Sequence, residues 1–236
     1  MPFSAGQITH NVPFGVPTMG NKLEKIEGVH KFGYNSAVST AFETVWDGGG
    51  IYAHPSSAVA MTLTSGAGAT DNGVEVTVQG LDSSYNFLEE SVTLAGSGTA
   101  TTTALFHRVN RAFVNNGQAP TDDITIANGG TTYAQITHPY NQTLMCVYTI
   151  PAGYVGYVTQ VSASVQKNQE CVLQFIARKP NGVFRTLGVM ASFGTPVDRK
   201  FDFPFHLEEK TDVEIRAKAG ATTEIAGEIE ILLDKN

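Results

Sequence analysis

The chain has 236 residues, 42% of them hydrophobic and 16% charged, with a formal net charge of −7. It is long enough for one large β domain or two of ordinary size, and too apolar and sparsely charged to be disordered. The acidic balance argues against phosphate-backbone binding, which needs Lys and Arg in excess on one face, so no nucleic-acid partner is expected.

The first thirty residues differ from the rest. Pro2, Pro13 and Pro17 with Gly6, Gly15 and Gly20 disfavour a helix or a central strand. Yet Phe3, Ile8, Val12, Phe14, Val16 and Met19 are too many apolar groups for a solvated tail. Two arrangements fit: an extended arm buried against another surface, or a flap on its own domain. Met1-Pro2-Phe3-Ser4 lacks the basic start and apolar core of a secretory leader, and no apolar run reaches membrane-spanning length, so no membrane partner is expected.

Val38–Trp46 and Ile51–Ala53 read as strands around Asp47-Gly48-Gly49-Gly50. Three runs then alternate apolar with polar residues: Val59–Thr64, Val74–Gln79 and Phe87–Leu94, separated by Ser65–Gly73 and by Gly80-Leu81-Asp82-Ser83. A period of two is the mark of antiparallel sheet with one buried face. Leu105–Val114 matches a short helix or a strand, and the β-branched Thr99–Thr103 before it favours strand. Asn115-Asn116-Gly117 and Asn128-Gly129-Gly130 are turns around Ile124–Ile126. A domain boundary is expected at Pro139–Asn141.

Beyond it, Leu144–Ile150, Tyr154–Val165 with a bend, Val172–Arg178, Val183–Val189, Lys200–Phe205, Asp212–Ala217 and Glu224–Leu233 read as strands, with Asn181-Gly182 as a hairpin turn. Seven strands at this spacing suggest a sandwich or jelly roll. The expected fold is all-β, with two antiparallel β-sandwich domains (Ig-like, then jelly-roll-like): an extended N-terminal arm over 1–30, a sandwich over 31–140 and a jelly-roll-like sandwich over 141–236.

Little in the chain reads as catalysis. His10, His30, His54, His107, His138 and His206 are scattered without metal-ligand spacing. Glu89-Glu90, Asp122-Asp123 and Glu208-Glu209 are adjacent pairs, which a strand sends to opposite faces, so they cannot cooperate as acid and base. Asp71 and Asp82 suit turns better than a calcium loop. Gly66-Ala67-Gly68-Ala69-Thr70 joins strands rather than opening a helix, as a phosphate cradle would. Gly96-Ser97-Gly98 lacks nucleophile-elbow spacing. No catalytic residue, cofactor or metal site is expected, and the chain is read as no enzyme. Cys146 and Cys171 are expected as buried free thiols.

Two groups merit attention as contact surfaces. Arg108 and Arg111 between Phe106 and Phe113 are either interface residues or an ordinary surface pair. Tyr148, Tyr154 and Tyr157 near a strand junction are a candidate ligand surface, against the commoner half-buried strand tyrosine.

Several segments together resemble a known family: Gly28–Asn35, Glu43–Gly49, Gly80-Leu81-Asp82, Glu89–Leu94, Phe106–Arg111 and Asn141–Gly153. They are similar to virion structural proteins of tailed bacteriophages that infect aquatic bacteria. The resemblance implies a non-enzymatic accessory protein of the capsid, neck or tail, assembled in the host cytoplasm. The implied partners are other virion proteins and the chain itself, in a homotrimer. It carries over no functional residue. The alternative is a receptor- or carbohydrate-binding tail or fibre module with a host glycan as ligand.

Overall fold

The computed structural model describes residues 25–166 and 169–236. Among them every strand pairing is antiparallel, and the one helical element is a short 3-10 turn at Gly68–Asp71. The fold is all-β, and the ambiguous Leu105–Val114 segment contains a strand.

Chain order and spatial order differ at once. The first strand, β1 (Ile26–Val38), pairs along its length with the last, β16 (Thr223–Lys235), with Val29 opposite Ile231 and Gly33 opposite Gly227. β16 also pairs with β11 (Tyr154–Val165), and β11 with β14 (Val197–Leu207), giving the order β1-β16-β11-β14. The facing sheet has the order β10-β15-β12-β13, from β10 (Val147–Thr149), β15 (Asp212–Ala219), β12 (Glu170–Arg178) and β13 (Arg185–Phe193), with β2 (Glu43–Thr44) also pairing β15. Leu173, Phe175, Val213, Ile215, Ile229, Ile231 and Leu233 from the two sheets meet in one core. The expected hairpin turn at Asn181-Gly182 is present, with Asn181 at φ 60°.

A second module lies between these segments in sequence. β3 (Thr62–Ser65), β6 (Thr99–Thr101), β8 (Ile124–Asn128) and β9 (Thr131–Ile136) form the sheet β6-β3-β8-β9. β4 (Glu75–Leu81), β5 (Phe87–Thr93) and β7 (Arg108–Val114) form β5-β4-β7. The alternation of β4 places Val76 and Val78 in a core with Leu63, Ile126 and Phe106. Gly80-Leu81, expected as a break, instead continues β4 to Leu81, and the turn follows at Asp82–Asn86, where Asp82 accepts the Ser84 and Asn86 amides.

The expected limits at residues 30 and 31 therefore fall inside β1. Ile26–His30 are strand rather than arm, and residues 31–44 belong with the C-terminal sheets. Such a pairing spans nearly the whole chain and leaves no local signature, because register is set by the partner strand. Cys146 and Cys171 are buried free thiols, as expected. The interface candidates Phe3, Ile8, Val12, Phe14 and Val16 lie outside the described residues.

Candidate functional site

The two modules meet where β7 and the ends of β4 and β5 abut the β1/β10 side of the first module. Two features occupy this seam: a buried ionic node and an open groove.

The node centres on Asp212, the first residue of β15. Its Oδ1 accepts from Arg108 Nε at 2.7 Å and from Thr149 Oγ1 at 2.7 Å. Its Oδ2 accepts from Arg108 Nη2 at 3.1 Å and from Arg178 Nη2 at 2.6 Å. Arg108 is 6% exposed. Its remaining donors go to the Pro55 and His107 carbonyls and to the Tyr85 hydroxyl, so all five N–H groups are used. Burial alone would raise the Asp212 carboxyl, but the His54 charge, present once that ring is protonated, and the Arg108 and Arg178 guanidiniums outweigh it and hold it at about 2.

Further along the same face of β15, Glu214 is buried and accepts from Arg216 Nη2 at 2.5 Å and Thr44 Oγ1 at 2.7 Å. The Phe184 ring lies 4.6 Å from the Arg178 guanidinium and 4.9 Å from that of Arg216. His54, in the segment that crosses this face, sits 3.7 Å from Asp212. Burial lowers it to about 3, so it is neutral at neutral pH, and both ring nitrogens lack a hydrogen-bond partner. Of the donors on Asp212, Arg108 comes from the second module, while Arg178 and Thr149 come from the sheet of Asp212 itself. Arg108 is thus corrected from an interface candidate to the internal tie between modules, a role its sequence neighbours could not show because its carboxylate is 104 residues away.

The groove has a volume of about 450 Å³ and runs beside the node. Its walls come from Gly28–Lys31 of β1, Gln79-Gly80 of β4, Phe87–Glu89 of β5, Asn110-Arg111 of β7 and Tyr148 of β10. A bulge shapes it: Gln79 pairs Arg111 and Gly80 pairs Val109, leaving Asn110 as the extra residue. A Cβ at position 80 would collide with the Arg108 carbonyl, so only glycine allows the strands to approach this closely.

Asn110 offers its freed carbonyl to the Lys31 ammonium. Lys31 is 8% exposed and lies on the inward face of β1, in phase with Val29 and Gly33. Burial lowers its pKa to about 8, the Arg111 charge adds to the lowering, and Cys146 and Asp47 oppose it. Arg111 is exposed, donates to Gln142 Oε1 at 2.9 Å and covers the Phe113 ring at 4.8 Å. Two of the residues singled out in the sequence, Arg111 and Tyr148, therefore share one groove.

The three tyrosines do not form one surface. Tyr148 and Tyr154 are buried in the first core, with Tyr154 edge-on to Phe87 at 5.5 Å. Tyr157 lies on the other face of β11 against His206. The alternation along β11 separates Tyr154 from Tyr157, so the expected tyrosine surface is corrected to a single groove-lining residue, Tyr148. Sequence reasoning missed Lys31, Gly80, Asn110 and Asp212. The one signal available was a lysine on the buried phase of a strand, visible only once Ile26–Val38 is known to be one.

Among the described residues no group of three or more His, Cys, Asp or Glu side chains could hold a metal ion, and no helix is long and apolar enough to cross a membrane.

No protein-family model matches the chain, and no curated protein matches it. Among solved structures, the chain has 11% identity to a structure of infectious bursal disease virus Gt strain, covering 94% of this chain and 78% of that one at a TM-score of 0.23. The Yersinia pseudotuberculosis-derived mitogen matches at 10% identity over 35% of this chain and 80% of its own, with a TM-score of 0.23. The PBSX exported protein XepA matches at 9% identity over 86% of each chain, with a TM-score of 0.20. Likenesses this low carry no argument about what the chain does.

Proposed function

We propose that the chain is a non-enzymatic structural subunit of a virion, an accessory protein of the capsid, neck or tail that assembles with copies of itself. The observation that supports this reading is an imbalance between the two sides of the first module. Its β1/β10 side is covered by the second module. Among the described residues nothing covers its β13/β14 side, and both of those strands are sheet edges. On it Val183 is 74% exposed, Phe193 71% and Phe203 92%.

Phe203 stands in a large bulge, where Phe201, Asp202, Phe203 and Pro204 oppose Thr159 alone. Exposed apolar groups of this size on an open sheet edge mark a contact surface. The bulge and Pro204 also limit open-ended strand addition, which favours a closed symmetric oligomer over a fibre. The bacteriophage setting rests on the sequence resemblance, and the trimer is carried forward from it. The division into Ig-like and jelly-roll-like sandwiches belongs to this reading as well.

Light scattering and native mass spectrometry on the purified full chain test it. The expected result is a discrete oligomer that Phe203→Asp converts to monomer with an unchanged circular dichroism spectrum. A chain that stays monomeric at ~100 µM, a concentration at which contacts of micromolar affinity are filled, would overturn it.

A further inference from the structure

The seam groove holds an unbalanced charge. Among the described residues Lys31 has no carboxylate within ion-pair distance. Of its three donors, the Asn110 carbonyl takes one. The acid nearest in effect is Asp47, whose Oδ2 accepts the Leu144 amide at 3.0 Å and whose burial pushes it up to about 7. Glu89 on the groove wall is engaged by Gln79 Nε2 at 2.6 Å. The charge next to Lys31 along the groove is a like one, Arg111, and a buried ammonium beside a guanidinium is stable only with an anion or at a sustained cost.

The remaining walls say what kind of anion. Phe87 is 52% exposed and backed edge-on by Tyr154, so it offers a fixed apolar surface at the groove wall. Gln79 and Asn110 line the same groove. The volume is that of a small-molecule site. A bare phosphate would leave the ring unused, and a polyanion would meet the repulsion of a chain with net charge −7. An apolar patch, amides and two cations in one groove match a ring with hydroxyls and one carboxylate.

We propose that this groove binds a carboxylated sugar, with the carboxylate on Lys31 and Arg111 and the ring against Phe87. The inference is independent of the assembly reading, since the groove lies on the side of the first module away from β13 and β14.

The test is a titration of the full chain with D-glucuronate, D-glucose and acetate, followed by amide chemical shifts and by saturation transfer to the sugar. The expected result is saturable binding of glucuronate, about tenfold tighter than either glucose or acetate. Shifts should centre on Lys31, Gly80 and Arg111. Lys31→Met, Arg111→Gln and Phe87→Ala should each weaken it about tenfold, and the last two alter exposed side chains that folding does not need. Glucuronate binding no tighter than glucose would remove the charge argument. Acetate binding as tightly as glucuronate would reduce the groove to an adventitious anion site only, and binding unchanged in Arg111→Gln and Phe87→Ala would place it elsewhere. Each of these three outcomes overturns the proposal.

Discussion

Asp212→Asn tests whether the ionic node holds the modules together. The substitution keeps the shape of the side chain and removes the charge, leaving Arg108 buried without its counter-ion and Arg178 with a weaker acceptor. Breaking a buried ion pair by removing one partner costs about 3–5 kcal/mol. The carboxyl gives a separate lower figure: held at about 2 instead of 3.8, it contributes roughly 2.4 kcal/mol at ~1.36 kcal/mol per pH unit. The larger value includes the stranded arginine, which the titration does not see. For a chain of this size, about 3 kcal/mol or more corresponds to a melting temperature lowered by about 10 °C.

Differential scanning calorimetry at pH 7 measures it. Because the folded pKa is depressed, this contribution is complete above about pH 4 and is lost as the pH falls through about 2. The gap between wild type and Asp212→Asn should therefore close over that interval. Arg108→Met should also destabilise, and the double variant should cost less than the sum of the two, by roughly 1–3 kcal/mol. A shift below ~2 °C at pH 7 for Asp212→Asn, corresponding to less than about 1 kcal/mol, would refute the reasoning. So would strict additivity with Arg108→Met.

Gly80→Ala should destabilise by about 3 kcal/mol or prevent folding, because the new Cβ meets the backbone carbonyl of Arg108 rather than a movable side chain; urea unfolding reads this. Lys31→Met should stabilise. The buried ammonium, at about 8 instead of 10.5, costs roughly 3.4 kcal/mol below pH 8, and losing its hydrogen bond to Asn110 returns about 1 kcal/mol. A net gain of about 2 kcal/mol at pH 7 is expected in urea titrations. It should fade from about pH 8 to 10.5, where the wild-type amine loses its proton first in the folded and then in the unfolded chain. Such a gain on removing the side chain proposed to hold the carboxylate would be the usual trade between stability and binding.

How far these features were legible follows from where their causes lie. The alternation of Val74–Gln79 determined a strand with Val76 and Val78 inward, because successive side chains in extended backbone point to opposite faces. Asn181 determined a turn between β12 and β13 because few residues other than glycine accept positive φ so readily. The buried thiols and the all-β class were likewise local and compositional. Arg108 and Arg111 looked equivalent on the same grounds, yet one is an internal tie and the other lines an open groove. Tyr154 and Tyr157 looked like neighbours, and the pleat put them on opposite faces.

What only the tertiary structure decided is every feature whose partner is far along the chain: β1 against β16, Arg108 on Asp212, and Lys31 on a carbonyl 79 residues away. A sequence states the period and chemistry of each strand directly. Which strand lies beside it, and therefore which charge is paired and which is left facing a groove, is fixed only by the joint packing of both cores.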